Sequence, residues 1–127
     1  MIVDSFTFFN ELDLLELRLS ELEHVVDRFV VVEATHTHKG DPKPLHYAEN
    51  VTRFHKWLDK IEHVIVGDLP KGEGLPAIRR REMTQRNAIL RGVRDCQDDD
   101  IILISDCDEI PRPSLIPTQL DDGIIAT

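Results

Sequence analysis

Long apolar runs are missing from this 127-residue chain, and no stretch approaches the roughly 20 apolar residues that a helical membrane span requires. Cysteine is nearly absent too. Cys96 and Cys107 alone cannot form a disulfide framework, so reduced thiols are expected. Positive charge is scarce: 15 basic against 24 acidic side chains leave a net charge of −9, which argues against a nucleic-acid partner held through phosphates. The N-terminus, Met1-Ile2-Val3-Asp4, has neither the basic start nor the apolar core of a signal peptide, so a cytoplasmic location is expected. Low-complexity tracts and internal repeats are absent. With 41% hydrophobic and 31% charged residues, the composition is that of one ordinary globular domain over 1–127.

The charge that is present is unevenly spread. Residues 1–35 hold two basic and eight acidic side chains, and residues 95–122 hold one and nine. Between them, residues 77–94 carry six Arg against Glu82 alone. A cationic segment flanked by acidic ones suits an anionic small ligand bridged by a metal, and equally a solvated helix with complementary neighbours.

Hydrophobic periodicity gives the element order. Ile2 to Phe9 reads as a first strand. Asn10 is a candidate helix N-cap, and Leu12, Leu15, Leu19 and Leu22 predict an amphipathic helix over 11–23. Phe29 to Val32 is a second strand, ending at Glu33. Residues 35–50 read as a structured loop, 51–62 as a short helix, and 64–66 as a third strand. Pro70 to Pro76 is a connection before a long helix over 77–96, which leads into a strand at 101–104. The order β-α-β-loop-α-β-α-β implies an α/β fold, its parallel strands joined by right-handed crossovers.

The most informative stretch is 100–113. Ile101-Ile102-Leu103-Ile104 has no polar alternation, as expected of a strand buried on both faces. Asp106, Asp108 and Glu109 follow at once, where open α/β sheets bind their ligands. Close carboxylates repel unless a cation or a proton intervenes, and Asp-x-Asp offers two hard oxygen donors to Mg2+ or Mn2+. Taken alone, the motif fits a polar strand exit with solvated acids equally well. A second clue is Arg86. If Met83, Leu90 and Val93 mark the sheet-facing stripe of the long helix, Arg86 falls within it and must reach an acid, a ligand or the sheet's edge, or else snorkel past its neighbours to solvent.

These stretches together resemble glycosyltransferase family 17. The matching blocks are Phe8-Phe9-Asn10-Glu11-Leu12-Asp13-Leu14-Leu15-Glu16, Arg18-Leu19, Val31-Val32-Glu33, and Thr35-His36-Thr37 with Lys43-Pro44-Leu45. Further on come Asp59-Lys60-Ile61, Gln85 to Gly92, and Ile104 to Pro113. The resemblance implies a GT-A-like, Rossmann-like, mostly parallel sheet flanked by helices. It implies a nucleotide-sugar donor, UDP-N-acetylglucosamine, held through Mn2+ or Mg2+, and a glycan hydroxyl as acceptor. On this chain it makes Asp106 and Asp108 the metal motif, with Asp108 the direct ligand, Asp106 acting through water or the ribose, and Glu109 a supporting contact. Phe9, Asn10 and Glu11 would lie near the base and ribose, Glu33 would accept from a uracil N–H, and Arg86 would cross the nucleotide. For Asn10 a plain N-cap, and for Glu33 a solvated strand end, remain equal readings.

There are departures. Ser5 stands where relatives often have Cys, and residues 70–77 lack a tryptophan common there. Only fourteen residues follow Pro113, so the acceptor-binding part and the general base are expected to be missing, as in a truncated fragment. A nucleotide-sugar-binding module without turnover is the rival reading. The haloacid-dehalogenase phosphohydrolases also open on an aliphatic strand and Asp-x-Asp. Their Thr or Val two positions on is Ile110 here, however, and only 19 residues follow Asp108. His36-x-His38, with no third ligand near it, and Arg79-Arg80-Arg81 read as surface features.

Overall fold

The computed structural model describes residues 1–116 and 125–126, the last two in backbone only. Five strands form one sheet: β1 (Ile2–Phe8), β2 (Arg28–Ala34), β3 (Ile61–Val66), β4 (Ile101–Asp106) and β5 (Ile125–Ala126), in the order β3-β2-β1-β4-β5. Every pairing is parallel. The helices are α1 (Leu12–Leu22), the four-residue α2 (His46–Glu49) and α3 (Gly74–Asn87). Among the described residues no helix is long and apolar enough to cross a membrane.

β1 lies at the centre, and its alternation divides the core in two. Phe6 and Phe8 face a cluster with Leu15, Leu19 and Leu22 of α1, whereas Val3 faces Val30, Val64, Ala88 and Ile89 on the other side. β2 is covered on both faces, which is why Phe29-Val30-Val31-Val32 shows no polar alternation.

Several expected boundaries move. α1 starts at Leu12, and Glu11, not Asn10, is its N-cap; no side chain caps it. The helix expected at 51–62 is a 3-10 run, Val51–Lys60, kinked at Phe54, and β3 starts at Ile61. The expected loop contains α2. The long helix begins three residues early, with Gly74 and Pro76 in its first turn, where Pro costs no helical hydrogen bond. It passes at Ala88 into a 3-10 turn, Ala88–Gly92.

The sheet-facing stripe of α3 is also corrected. Met83 and Leu90 are 65% and 64% exposed, and the buried side chains are Ala77, Arg81, Gln85, Ala88 and Ile89. At Gly92 the segment sits too close to β2 for any side chain. A Cβ on Gly92 would lie 2.4 Å from Val30 Cγ1, well inside contact distance. Gly92→Ala is therefore expected to destabilise the fold by about 1–3 kcal/mol through overpacking, read as a lowered denaturation midpoint at unchanged slope.

Candidate active site

The C-terminal ends of β1 and β4 and the side of α3 enclose a cleft of about 410 Å³, lined by Phe9, Glu11, Arg86, Asp106, Cys107 and Asp108 among others. Parallel pairing puts Thr7 beside Asp106, so the two strands end level and the chain after each opens onto the same space. Five of the sequence-predicted site residues thus come together: Phe9, Glu11, Arg86, Asp106 and Asp108.

Arg86 Nη2 donates to Asp106 Oδ1 at 2.9 Å, with both side chains about half exposed (51% and 48%). The expectation that Arg86 reaches an acid holds, although the stripe that suggested it does not. An ion pair this exposed contributes little to stability, so both groups can exchange partners when a ligand arrives. Phe9 is 43% exposed, with Lys43 Nζ 5.3 Å from its ring centroid. Burial pushes the Lys43 ammonium below its ordinary value, with nearby Glu33, Glu11 and Glu49 opposing.

The acids leave β4 in a tight turn. Glu109 N donates to Asp106 O at 3.0 Å, and Asp106 N donates to Glu109 Oε1 at 3.0 Å. Glu109 therefore supports the Asp106 backbone and does not line the cleft. Cys107 points inward at 2% exposure, as a small core residue. Burial, with Glu11 reinforcing it, pushes its thiol up to about 12. A folded value above the unfolded one adds stability below the ordinary thiol range and withdraws it as pH rises toward 12. Accordingly, Cys107 is expected to resist thiol reagents at pH 8 until denaturant is added, as mass spectrometry of the labelled protein will show.

Two predicted residues lie elsewhere. Asn10 is exposed in an adjoining groove with Asp13 and Arg53, which shares Glu11 and Leu14 with the cleft but does not bring Asn10 into it. Glu33 is fully buried: Oε1 accepts from Tyr47 N at 2.8 Å, and Oε2 meets His63 Nε2 at 2.8 Å. Its carboxylate is spent on joining α2 and β3 to the strand end. His36 and His38 diverge, His36 to Thr35 Oγ1 and His38 Nε2 to Gln85 Oε1 at 3.0 Å. His38 and Gln85 line the cleft, and sequence reasoning missed both.

It also missed the group behind the acids. Arg18 of α1 is fully buried and paired with Asp4 of β1, Nε and Nη2 each donating to one carboxylate oxygen at 2.7 Å. Nη2 also donates to Ser105 Oγ at 2.5 Å, while Nη1 faces the carbonyls of Asp106, Cys107 and Glu109 at 2.9–3.2 Å. A signal existed: Arg18 interrupts the leucine stripe of α1, and Asp4 interrupts an apolar strand.

Among the described residues no three His, Cys, Asp or Glu side chains converge as a ready metal cage. The donor set nonetheless suits a cation that binds through one or two carboxylates, keeping its remaining positions for phosphate oxygens and water.

An all-parallel sheet flanked by helices, with carboxylates at the tip of β4, is an α/β arrangement consistent with a GT-A-like fold. The sequence profile of glycosyltransferase family 17 matches residues 1–121, and the chain belongs to that family. It is 35% identical to the beta-1,4-mannosyl-glycoprotein 4-beta-N-acetylglucosaminyltransferases of Rattus norvegicus and Homo sapiens and 34% identical to that of Mus musculus. Each alignment covers 96% of this chain and 24% of the relative, so the chain spans about a quarter of their length. No solved structure matches it.

Proposed function

We propose that this chain is the donor-binding part of a glycosyltransferase: it binds a nucleotide sugar, UDP-N-acetylglucosamine, through Mn2+ or Mg2+, for transfer of the sugar to a glycan hydroxyl. The observation that carries this reading is the convergence of Asp106, Asp108, Arg86 and Phe9 on one cleft at the sheet's C-terminal edge. Its approximately 410 Å³ is in the range of small-molecule sites. Family membership and the relatives' names support transfer of N-acetylglucosamine.

Each residue has a task in this reading. Asp108 and Asp106 bring hard anionic oxygens to the cation, and Glu109 holds the Asp106 backbone. Arg86 lets go of Asp106 and turns to the diphosphate, where a guanidinium matches two phosphate oxygens. Phe9 offers an exposed ring on which the base stacks, and Glu11, which lines the same cleft, would accept from the ribose. The bound cation would neutralise charge on the departing nucleoside diphosphate as the sugar carbon becomes oxocarbenium-like. The buried Glu33 takes no part: its role is to fix the strand end.

Calorimetric titration of the protein with UDP-N-acetylglucosamine, with and without Mn2+, tests the reading. Saturable binding that requires Mn2+ is expected, and no binding in either condition rejects the donor site. Assays of donor hydrolysis and transfer in the same samples separate a transferase from a module that binds without turnover.

A further inference from the structure

Asp4 and Arg18 form an ion pair with neither side chain exposed, in a protein whose other described ion pairs all have at least one partly exposed partner. Burying two charges is expensive, and well-packed apolar residues often serve stability as well or better. The pair therefore calls for a reason beyond stability, and its contacts suggest one. Asp4 holds the Nε–Nη2 edge of the guanidinium, leaving the other donors directed at Ser105 and at the carbonyls of Asp106, Cys107 and Glu109. Arg18 Cζ also lies 4.4 Å from the Phe6 ring centroid, so an aromatic ring packs against the guanidinium as well.

We propose that Arg18 is the positioning residue for the two aspartates, an internal template on which the Asp106–Glu109 turn is shaped; its bearing on ligand binding rests on the metal reading above. Asp106 is the half-exposed last residue of β4 and Asp108 is exposed on the turn just beyond the ladder, and carboxylates at a loose strand end would spread over many positions. Arg18 gathers three main-chain oxygens of that turn around one nitrogen, so the aspartates leave it in a single relative orientation. Asp4 sits on β1, beside β4, and transmits the position of the sheet itself to the turn. Lysine cannot replace this arrangement: an ammonium has three donors at one point and no planar fork.

The test reads the turn before it reads the metal. Amide hydrogen exchange of metal-free Arg18→Lys is compared with wild type at Asp106 and Glu109, whose N–H groups close the turn, and at core amides of β1 and β2. Leu22→Ala serves as a control that weakens the core away from the turn. A loss of protection of tenfold or more confined to the turn amides is expected in Arg18→Lys, whereas Leu22→Ala lowers protection across the core. Equal loss everywhere in Arg18→Lys, or no loss at the turn, overturns the proposal. Should Arg18→Lys not fold, Asp4→Asn reads the same amides with the guanidinium still present: a loss at Asp106 and Glu109 larger than the loss at the core amides is expected, and a turn loss no larger than the core loss overturns the proposal. Mn2+ binding, followed by electron paramagnetic resonance at a temperature where both proteins are folded, is expected to weaken at least tenfold in Arg18→Lys. Mn2+ affinity unchanged from wild type despite a loosened turn also overturns it. A wild type that binds no Mn2+, with or without UDP-N-acetylglucosamine, refutes the metal reading, while the exchange data still decide whether Arg18 shapes the turn.

Discussion

Asp4→Ala is expected to lower stability by about 3–5 kcal/mol, the cost of stranding one partner of a buried ion pair. The guanidinium it leaves behind has no solvent route, since Arg18 is fully covered by α1, β1 and the turn after β4. Carbonyl oxygens still face it, but no anion balances its charge. Domains of this size have about 5–15 kcal/mol in total, so the variant should unfold at markedly lower urea, or fail to accumulate folded. Equilibrium denaturation followed by circular dichroism makes the measurement. The double variant Asp4→Leu with Arg18→Met is expected to recover part of the loss by removing both charges together. Recovery stays incomplete because the carbonyls of the turn then lose a donor. Asp4→Ala as stable as wild type would mean that the pair carries no net weight.

Asp108→Ala is expected to abolish Mn2+-dependent donor binding while leaving the fold intact. Asp108 is exposed, follows the last residue of β4 by two positions, and has no hydrogen bond among the described contacts, so its removal unsettles nothing nearby. Its value lies in the second hard oxygen donor it brings to the cleft. A cation bound by only one or two carboxylates loses much of its protein attachment with either. Asp106→Ala is expected to weaken binding as well, but it also releases Arg86, whose guanidinium is then free for phosphate. Asp108 should therefore show the larger loss of cation dependence. Unchanged donor affinity and Mn2+ dependence in Asp108→Ala would move the cation away from this pair of acids.

Much of this site was legible because it depends on chain order and strand direction. An aliphatic run followed at once by acids reads as a strand with its acids at one end, and parallel pairing carries that end to the same edge as Phe9. The expected burial on both faces is met on one, with Ile101 and Leu103 buried and Ile102 and Ile104 only partly so. Arg86 was legible for a partly mistaken reason. The helix stripe was read from Met83 and Leu90, yet the close approach of Gly92 to Val30 turns those residues outward and seats Gln85, Ala88 and Ile89 against the sheet. The same reasoning, that a charge within an apolar stripe must find a partner, belonged with more force to Arg18 among Leu15, Leu19 and Leu22. Glu33 was misjudged because a strand-end acid looks alike whether it meets solvent or a folded segment. Here α2, inside what read as a loop, supplies Tyr47 N–H and closes over it.

The sequence alone determined the parallel α/β order and the place of Asp106 and Asp108 at the tip of β4, because local periodicity and strand polarity are written along the chain. Only the tertiary structure decided which face α3 presents, that Glu33 is a buried brace, and that Arg18 reaches 88 positions along the chain to hold the Asp106 carbonyl. Those outcomes depend on distances between elements remote in sequence. Such distances are set by side-chain volume and by the need of every buried polar group for a partner.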